Sequence, residues 1–255
     1  MKRQIEQLSH TPGSGAWSGA TALVTGATGG IGTEIARQLL GAGLVVYVGG
    51  RDLARARTVA TELGEGALPL LIDVTNAASI ADATGRVDQL DVLVNNAGIS
   101  IDAEPPTEVD VEVFRRTYET NVFAVVAVTN AFVPVLRRSA RPRIVNISSG
   151  TGSLTWSTGP NPQFPHQTGG RAAAYRSSKT ALNALTVFYG QSLEPDGFKV
   201  NALAPGLRAT NLNARAASAG GDPAEAAEGA VRLALLDAAG PTSSFFSWDG
   251  TLAAW

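Results

Sequence analysis

The chain has no cysteine, two histidines (His10 and His166) and only three lysines (Lys2, Lys179 and Lys199) among 255 residues. Without cysteine there is neither a disulfide frame nor a thiolate nucleophile, and two separated histidines cannot build a usual metal site, so no metal is expected. The uninterrupted apolar stretches fall well short of the ~18 residues that a membrane span requires. The first nineteen residues carry Lys2 and Arg3 but no apolar core of a secretory leader. A net charge of −2, mixed along the chain, leaves no basic stripe for nucleic acid. The expectation is a soluble cytoplasmic protein with neither a membrane nor a nucleic-acid partner.

What is present points to one large core. Hydrophobic residues make up 44% of the chain and no linker divides them, which predicts an extension over 1–19 followed by a single domain over 20–255. Short β-branched runs at 21–25, 44–48, 68–72, 92–95, 143–147 and 199–203 read as buried strands. Helical patterns fill 31–40, 53–63, 111–136 and 172–193, the last stopping before Pro195, and a further one covers 223–236 with Asp222 as its cap and Pro223 at its first position. Strands alternating with helices predict an α/β fold, a doubly wound parallel sheet of Rossmann type with helices on both faces. Such sheets bind ligands beyond the carboxyl ends of their strands.

Two motifs fall at such places. Thr25-Gly26-Ala27-Thr28-Gly29-Gly30-Ile31-Gly32 follows the first strand and opens the first helix. There Gly26 allows a tight turn, Gly30 lets backbone approach a pyrophosphate, and Gly32 lets helix pack on strand; a plain glycine turn would look the same in isolation. Farther on, Tyr175 and Lys179 stand four residues apart, so on a helix the phenol and the ammonium bracket one small volume. A tyrosine near pKa ~10 is a weak acid at neutral pH, and lowering it by about three units takes roughly 4 kcal/mol. One cation about 4 Å away at an effective dielectric of ~20 supplies that. Tyr and Lys also become neighbours on any amphipathic helix, so the pair gains meaning from its context.

Together with Asn95-Asn96-Ala97-Gly98, Asn121 and Ser149, these motifs resemble the short-chain dehydrogenase/reductase family over nearly the whole chain from about residue 21. The resemblance implies transfer of a hydride between a nicotinamide and a carbonyl or alcohol. Tyr175 would be the general acid or base, Lys179 would lower its pKa and hold the nicotinamide ribose, Ser149 would orient the substrate oxygen, and Asn121 would anchor a proton path through the lysine. Ser148 and Ser149 face opposite ways at a strand end, so only one reaches the site; the family's pattern selects Ser149. Gly26, Thr28, Gly29, Gly30, Ile31 and Gly32, with Asn95, Ala97 and Gly98, would line the dinucleotide. Asp73 and Val74 match the pair that contacts adenine, although Asp73 could equally cap a helix. Pro205, Gly206 and Thr210 match the segment that covers the nicotinamide, where Arg208 replaces a small aliphatic residue and is unexplained.

Cofactor choice turns on the end of the second strand. Gly50 takes the place where NAD-binding relatives carry an acid, and Arg51 follows, so nothing repels a 2′-phosphate and a guanidinium can fork onto it. NADP(H) is therefore expected. Against this stand the neighbouring Asp52, the lack of a basic residue inside the glycine motif, and the reading of Arg51 as a solvated helix-start residue. The stretch from Ser149 to Tyr175 is much longer than is usual in the family and holds a loop over about 150–172 carrying Trp156, Phe164, His166 and three prolines. An aromatic lid for a large ketone and a plain surface excursion both fit it. His166 is read as a loop residue with no chemical role. The tail from Gly240 resembles carbonyl-reductase-like members.

The leading expectation is an NADPH-dependent reductase of a small-molecule ketone or aldehyde, with an aromatic polyketide of secondary metabolism as one candidate substrate. The alternatives are a dinucleotide-sensing regulator without turnover and an NAD-dependent alcohol dehydrogenase. Relatives often pair through the helices at 111–136 and 172–193, while the enlarged loop beside the second could block that surface, so a homodimer, a homotetramer and a monomer all stay open.

Overall fold

The structure, a computed structural model, describes residues 16–163 and 169–255. Seven strands form one parallel sheet: β1 (Thr21–Val24), β2 (Val45–Gly50), β3 (Ala67–Leu71), β4 (Val92–Asn95), β5 (Arg143–Ile147), β6 (Lys199–Ala204) and β7 (Ser244–Ser247). Their order is β3-β2-β1-β4-β5-β6-β7. Beside them run the helices α1 (Gly30–Gly41), α2 (Leu53–Leu63), α3 (Ala77–Thr84), α4 (Val111–Tyr118), α5 (Ala124–Leu136), α6 (Leu154–Thr158), α7 (Ala173–Leu193), α8 (Ala214–Ala217) and α9 (Pro223–Ala234). This is the doubly wound α/β sheet that the sequence pattern predicts.

Strand alternation divides the core in two. Along β1, Ala22 and Val24 face the layer of α1 and α9, where Ile35, Leu39, Ala230 and Leu233 pack. Leu23, between them, points to the opposite layer with Phe132 and Leu136 of α5 and Leu193 of α7. The order reverses between β1 and β4, so the crevice for a ligand opens where the chain leaves those two strands. The long rod over Val111–Leu136 is apolar and long enough to cross a bilayer, yet it packs into the second layer through Val128, Phe132 and Leu136.

Several elements go beyond the sequence expectation. The rod is interrupted by a π turn over Glu119–Phe123, which inserts one residue without disturbing the apolar pattern enough to show. The segment β7 is a short parallel edge strand beside β6, and its Ser-Phe-Phe-Ser run has no alternation to reveal it. The stretch after Ser149 is no structureless loop: a 3₁₀ turn over Gly150–Gly152 leads into α6. Trp17, inside the segment read as an extension, is buried against the core and donates its indole N–H to the Leu235 carbonyl at 3.2 Å.

Candidate active site

The loops after β1 and β4 are locked together. The Thr25 hydroxyl accepts from the amides of Asn96 at 3.0 Å and Ala97 at 3.1 Å. The Asn96 side chain returns two bonds, to the carbonyls of Thr25 and Gly26. Gly26 has φ +63°, and a Cβ there would stand 3.0 Å from Ala97 Cα, so both its backbone and its neighbour require glycine. A Cβ on Gly32 would lie 2.5 Å from both Asn96 Nδ2 and the Gly26 carbonyl. The first amides of α1 have no side-chain cap and no acid in the first turn, which leaves a helix N-terminus with the polarity that suits a pyrophosphate.

Helix α7 brings the other cluster to the same crevice. Its four-residue spacing places Lys179 Nζ 5.7 Å from the centre of the Tyr175 ring, and Nζ donates to the Ile147 carbonyl at 2.8 Å. The Ser149 hydroxyl pulls the Tyr175 phenol's pKa down and shares a 2.8 Å bond with Thr151. Ser148 turns the other way and donates to Asn183 Oδ1 at 2.6 Å, so the geometry separates the two serines as expected. Asn121 sits in the π turn, where its amide clamps both backbone groups of Ile99 at 2.9 Å and donates to Ser178 at 3.0 Å. Gly98 joins the clusters: a Cβ there would be 3.2 Å from Asn121 Oδ1 and 3.5 Å from Lys179 Nζ.

Comparison with known proteins agrees with this geometry. The family described as short chain dehydrogenase matches residues 20–220. The chain belongs to the short-chain dehydrogenase family. It is 33% identical to short-chain dehydrogenase anuI of Penicillium roqueforti, over 82% of this chain and 84% of that protein. It is 31% identical to (−)-isopiperitenone reductase of Mentha piperita, over 91% and 97%. Among solved structures, the RhlG/NADP active-site complex of Pseudomonas aeruginosa superposes with a TM-score of 0.80 at 28% identity, covering 94% of this chain and 98% of that one. NADPH-bound carbonyl reductase from chicken fatty liver gives 0.78 at 26% identity, covering 93% and 100%. This short-chain dehydrogenase is therefore an oxidoreductase that binds a nicotinamide dinucleotide, and the two glycine close approaches and the open helix terminus are the cradle such a group needs.

The remaining expected residues divide by what their side chains already do. Asp52 caps α2, accepting from the amides of Ala54 and Arg55 at 2.9 and 3.1 Å, so its carboxylate is committed to the helix. Arg51 is exposed. Arg55, absent from the sequence reading, donates Nε to the Thr28 carbonyl at 3.0 Å, and its Nη2 lies 3.5 Å from where a Gly29 Cβ would be. It lies against the glycine motif, which has no basic residue of its own. Its only sequence signal is its position one turn after Arg51. Asp73 accepts from the Thr75 amide and hydroxyl, forming a turn after β3, and Asn76 takes the capping of α3. Val74 is half buried against the second core layer. Asn95 spends its amide on Thr129 and Asn146 within the fold.

Thr210 lies over the glycine loop, with its Cγ2 3.2 Å from the position of a Gly30 Cβ, and Gly206 turns the preceding chain at φ +72°. Arg208, unexplained by sequence, is buried: it donates Nε to the Pro205 carbonyl at 2.7 Å, pairs with Glu225 of α9 and stacks 4.3 Å over the Trp248 ring. It fastens the covering segment to the body of the protein. Trp156 does not stand on a lid; it is buried against Phe245, on which Trp255 stacks at 5.4 Å. Phe164 and His166 lie outside the described residues, as does His10.

Burial reverses one electrostatic expectation. Desolvation pushes the Tyr175 phenol up to about 12 despite the pull of the Ser149 hydrogen bond, and desolvation pushes Lys179 down to about 8. The low dielectric penalises phenolate and ammonium alike, and it is the largest effect on both groups. Free lysine lies at 10.5, so the folded protein's penalty for the ammonium grows as pH falls from 10.5 and is complete below about 8. The gap of about 2.5 units corresponds to roughly 3 kcal/mol. Lys179→Met is accordingly expected to unfold at higher urea than wild type at pH 7, with the gain shrinking by pH 9.5. A variant less stable than wild type at pH 7 would show that the bond to Ile147 outweighs desolvation.

Proposed function

We propose that this short-chain dehydrogenase reduces the carbonyl of a small ketone or aldehyde with NADPH. The observation that carries the reading is the half-buried Tyr175, with Ser149 acting on its phenol and the Lys179 ammonium 5.7 Å from the centre of its ring. When bound, the dinucleotide supplies the hydride. The chain's own residues do the rest. The Ser149 hydroxyl donates to the substrate oxygen and fixes its position. Tyr175, protonated at neutral pH, gives its proton to the oxygen as negative charge develops there. The nearby ammonium of Lys179 stabilises the phenolate left behind, and Asn121 holds the Ile99 backbone that borders the site. A protonated resting phenol suits reduction, whereas alcohol oxidation at neutral pH would need it ionised. Relatives named as isopiperitenone reductase and carbonyl reductase support the same direction.

The test is NADPH oxidation with a panel of cyclic and acyclic ketones as pH is varied. Lys179, lowered to about 8, loses its positive charge as pH rises through that value, so reduction should hold up to about pH 8 and decline above it. A rate that climbs between pH 7 and 9 would contradict the roles given to Tyr175 and Lys179. Tight nucleotide binding without turnover of any ketone would make the chain a dinucleotide sensor instead.

The NADPH preference rests on three features at the end of β2. A side chain at Gly50 would collide with Thr28, since its Cβ would be 2.6 Å from Thr28 Cγ2, so an acid cannot occupy the usual NAD-selecting place without moving the glycine loop. The Asp52 carboxylate is turned into α2, Arg55 lays its guanidinium beside Thr28 and Gly29, and Arg51 stands exposed directly after β2. The double variant Arg51→Ala/Arg55→Ala should raise KM for NADPH about tenfold or more, the value of one charge-assisted bond, and leave KM for NADH within a factor of about two. Equal losses for both nucleotides would contradict the assignment.

A further inference from the structure

Helix α7, which carries Tyr175, begins without a cap of its own. Ala172, the residue before its first turn, is left-handed at φ 57° and has no side-chain acceptor. By contrast, α2, α3, α4 and α9 each start on an Asp or Asn whose oxygen accepts from the first turn. For α7 the acceptor arrives from 72 residues away: Asp102 Oδ2 takes the Ala174 amide at 2.8 Å. Its other oxygen, Oδ1, takes the amide of Tyr175 itself at 3.3 Å. The carboxylate is 6% exposed, and nothing in the reaction proposed above uses it.

The segment that holds Asp102 is fixed along its length. Ile99 is clamped by Asn121 through both backbone groups at 2.9 Å. The Ser100 hydroxyl accepts from Asn213 Nδ2 at 3.0 Å, which ties the segment to the cap of α8 in the covering region. The carbonyl of Ala103 accepts from Arg171 Nη1 at 3.0 Å, just before α7 begins. Five residues leaving the end of β4 thus connect the π turn, the cover and the catalytic helix. The same strand end forms one wall of the dinucleotide cradle at Ala97.

We infer that Asp102 is a positioning residue for Tyr175: its two carboxylate oxygens hold consecutive amides at the start of α7 and so set the phenol against the nucleotide and substrate. A carboxylate is suited to this because consecutive amides of a first turn point the same way from offset positions, and one oxygen takes each; an amide side chain offers a single acceptor. The kinetic consequence rests on the reductase reading, whereas the hold on the helix does not. Displacement of a reacting group by an ångström costs about a hundredfold in rate without a matching loss of binding.

The experiment compares Asp102→Asn and Asp102→Ala with wild type by amide hydrogen exchange and steady-state kinetics. Exchange at Ala174 and Tyr175 should quicken about tenfold or more in the alanine variant, with the asparagine variant intermediate because it keeps one acceptor. With a ketone that wild type reduces, kcat should fall about a hundredfold for alanine and less for asparagine, and KM for NADPH should stay within about twofold. The solvent deuterium isotope effect on kcat should grow as proton transfer becomes slower; a purely structural role would not move it. Unchanged exchange at those two amides, or losses of kcat matched by loss of NADPH affinity, would overturn the inference. Failure of wild type to reduce any ketone would sink the reductase reading alone, and the exchange rates would still decide whether Asp102 holds the helix. If the alanine variant does not fold, the isosteric asparagine variant decides both readouts.

Discussion

An ammonium inside a protein is the constraint around which this site is arranged. Lys179 sits near the middle of the sheet's carboxyl edge, 4% exposed, with its charge resting on the Ile147 carbonyl. Desolvation costs a buried cation several kcal/mol unless neighbours compensate, so the surrounding chain has little freedom in where it runs. A Cβ on Gly98 would press on Asn121 Oδ1 at 3.2 Å, and a Cβ on Gly152 would lie 2.8 Å from Lys179 Cβ, so that turn must be bare to pack against α7. The same desolvation raises the phenol one turn earlier, so its proton is held more firmly than in free tyrosine. Stability is given up at Lys179 to keep a cation beside the Tyr175 ring.

The cradle for the nucleotide follows from close approach of backbone to backbone. Thr25 and Asn96 bind the loops after β1 and β4 so tightly that Gly26 and Gly32 have no room for a methyl group. Across this cradle lies the covering segment, which Arg208 anchors through Pro205, Glu225 and Trp248. Thr210 is thereby held against Gly30. The insertion after Ser149 is drawn into the body in a similar way: Trp156 joins Phe245, and Gln163 donates to Ser247 at 2.9 Å. Trp156 therefore serves packing at the β7 edge.

Much of this was legible in the sequence because it is local. A four-residue spacing on a helix fixes Tyr175 relative to Lys179, strand alternation separates Ser148 from Ser149, and the glycine motif directly follows β1. The illegible parts depend on contacts across the chain. Nothing near Asp102 in sequence announces that it serves a helix 72 residues on, and Arg208 looks like an exposed charge until Trp248 and Glu225 are brought to it. Arg55 reads as an ordinary helix residue until the fold lays Thr28 beneath its guanidinium. The electrostatic sign of the Tyr175 environment was missed for a related reason: spacing gives the distance to a cation but not the depth of burial, and burial is the larger effect.

The most direct test of the account is Tyr175→Phe, measured by NADPH binding and by single-turnover hydride transfer to a ketone that wild type accepts. Removing one buried hydroxyl leaves the cradle intact, so the account predicts nucleotide affinity within about twofold of wild type and a transfer rate lower by about a hundredfold or more. A transfer rate within a few-fold of wild type would show that the proton comes from elsewhere.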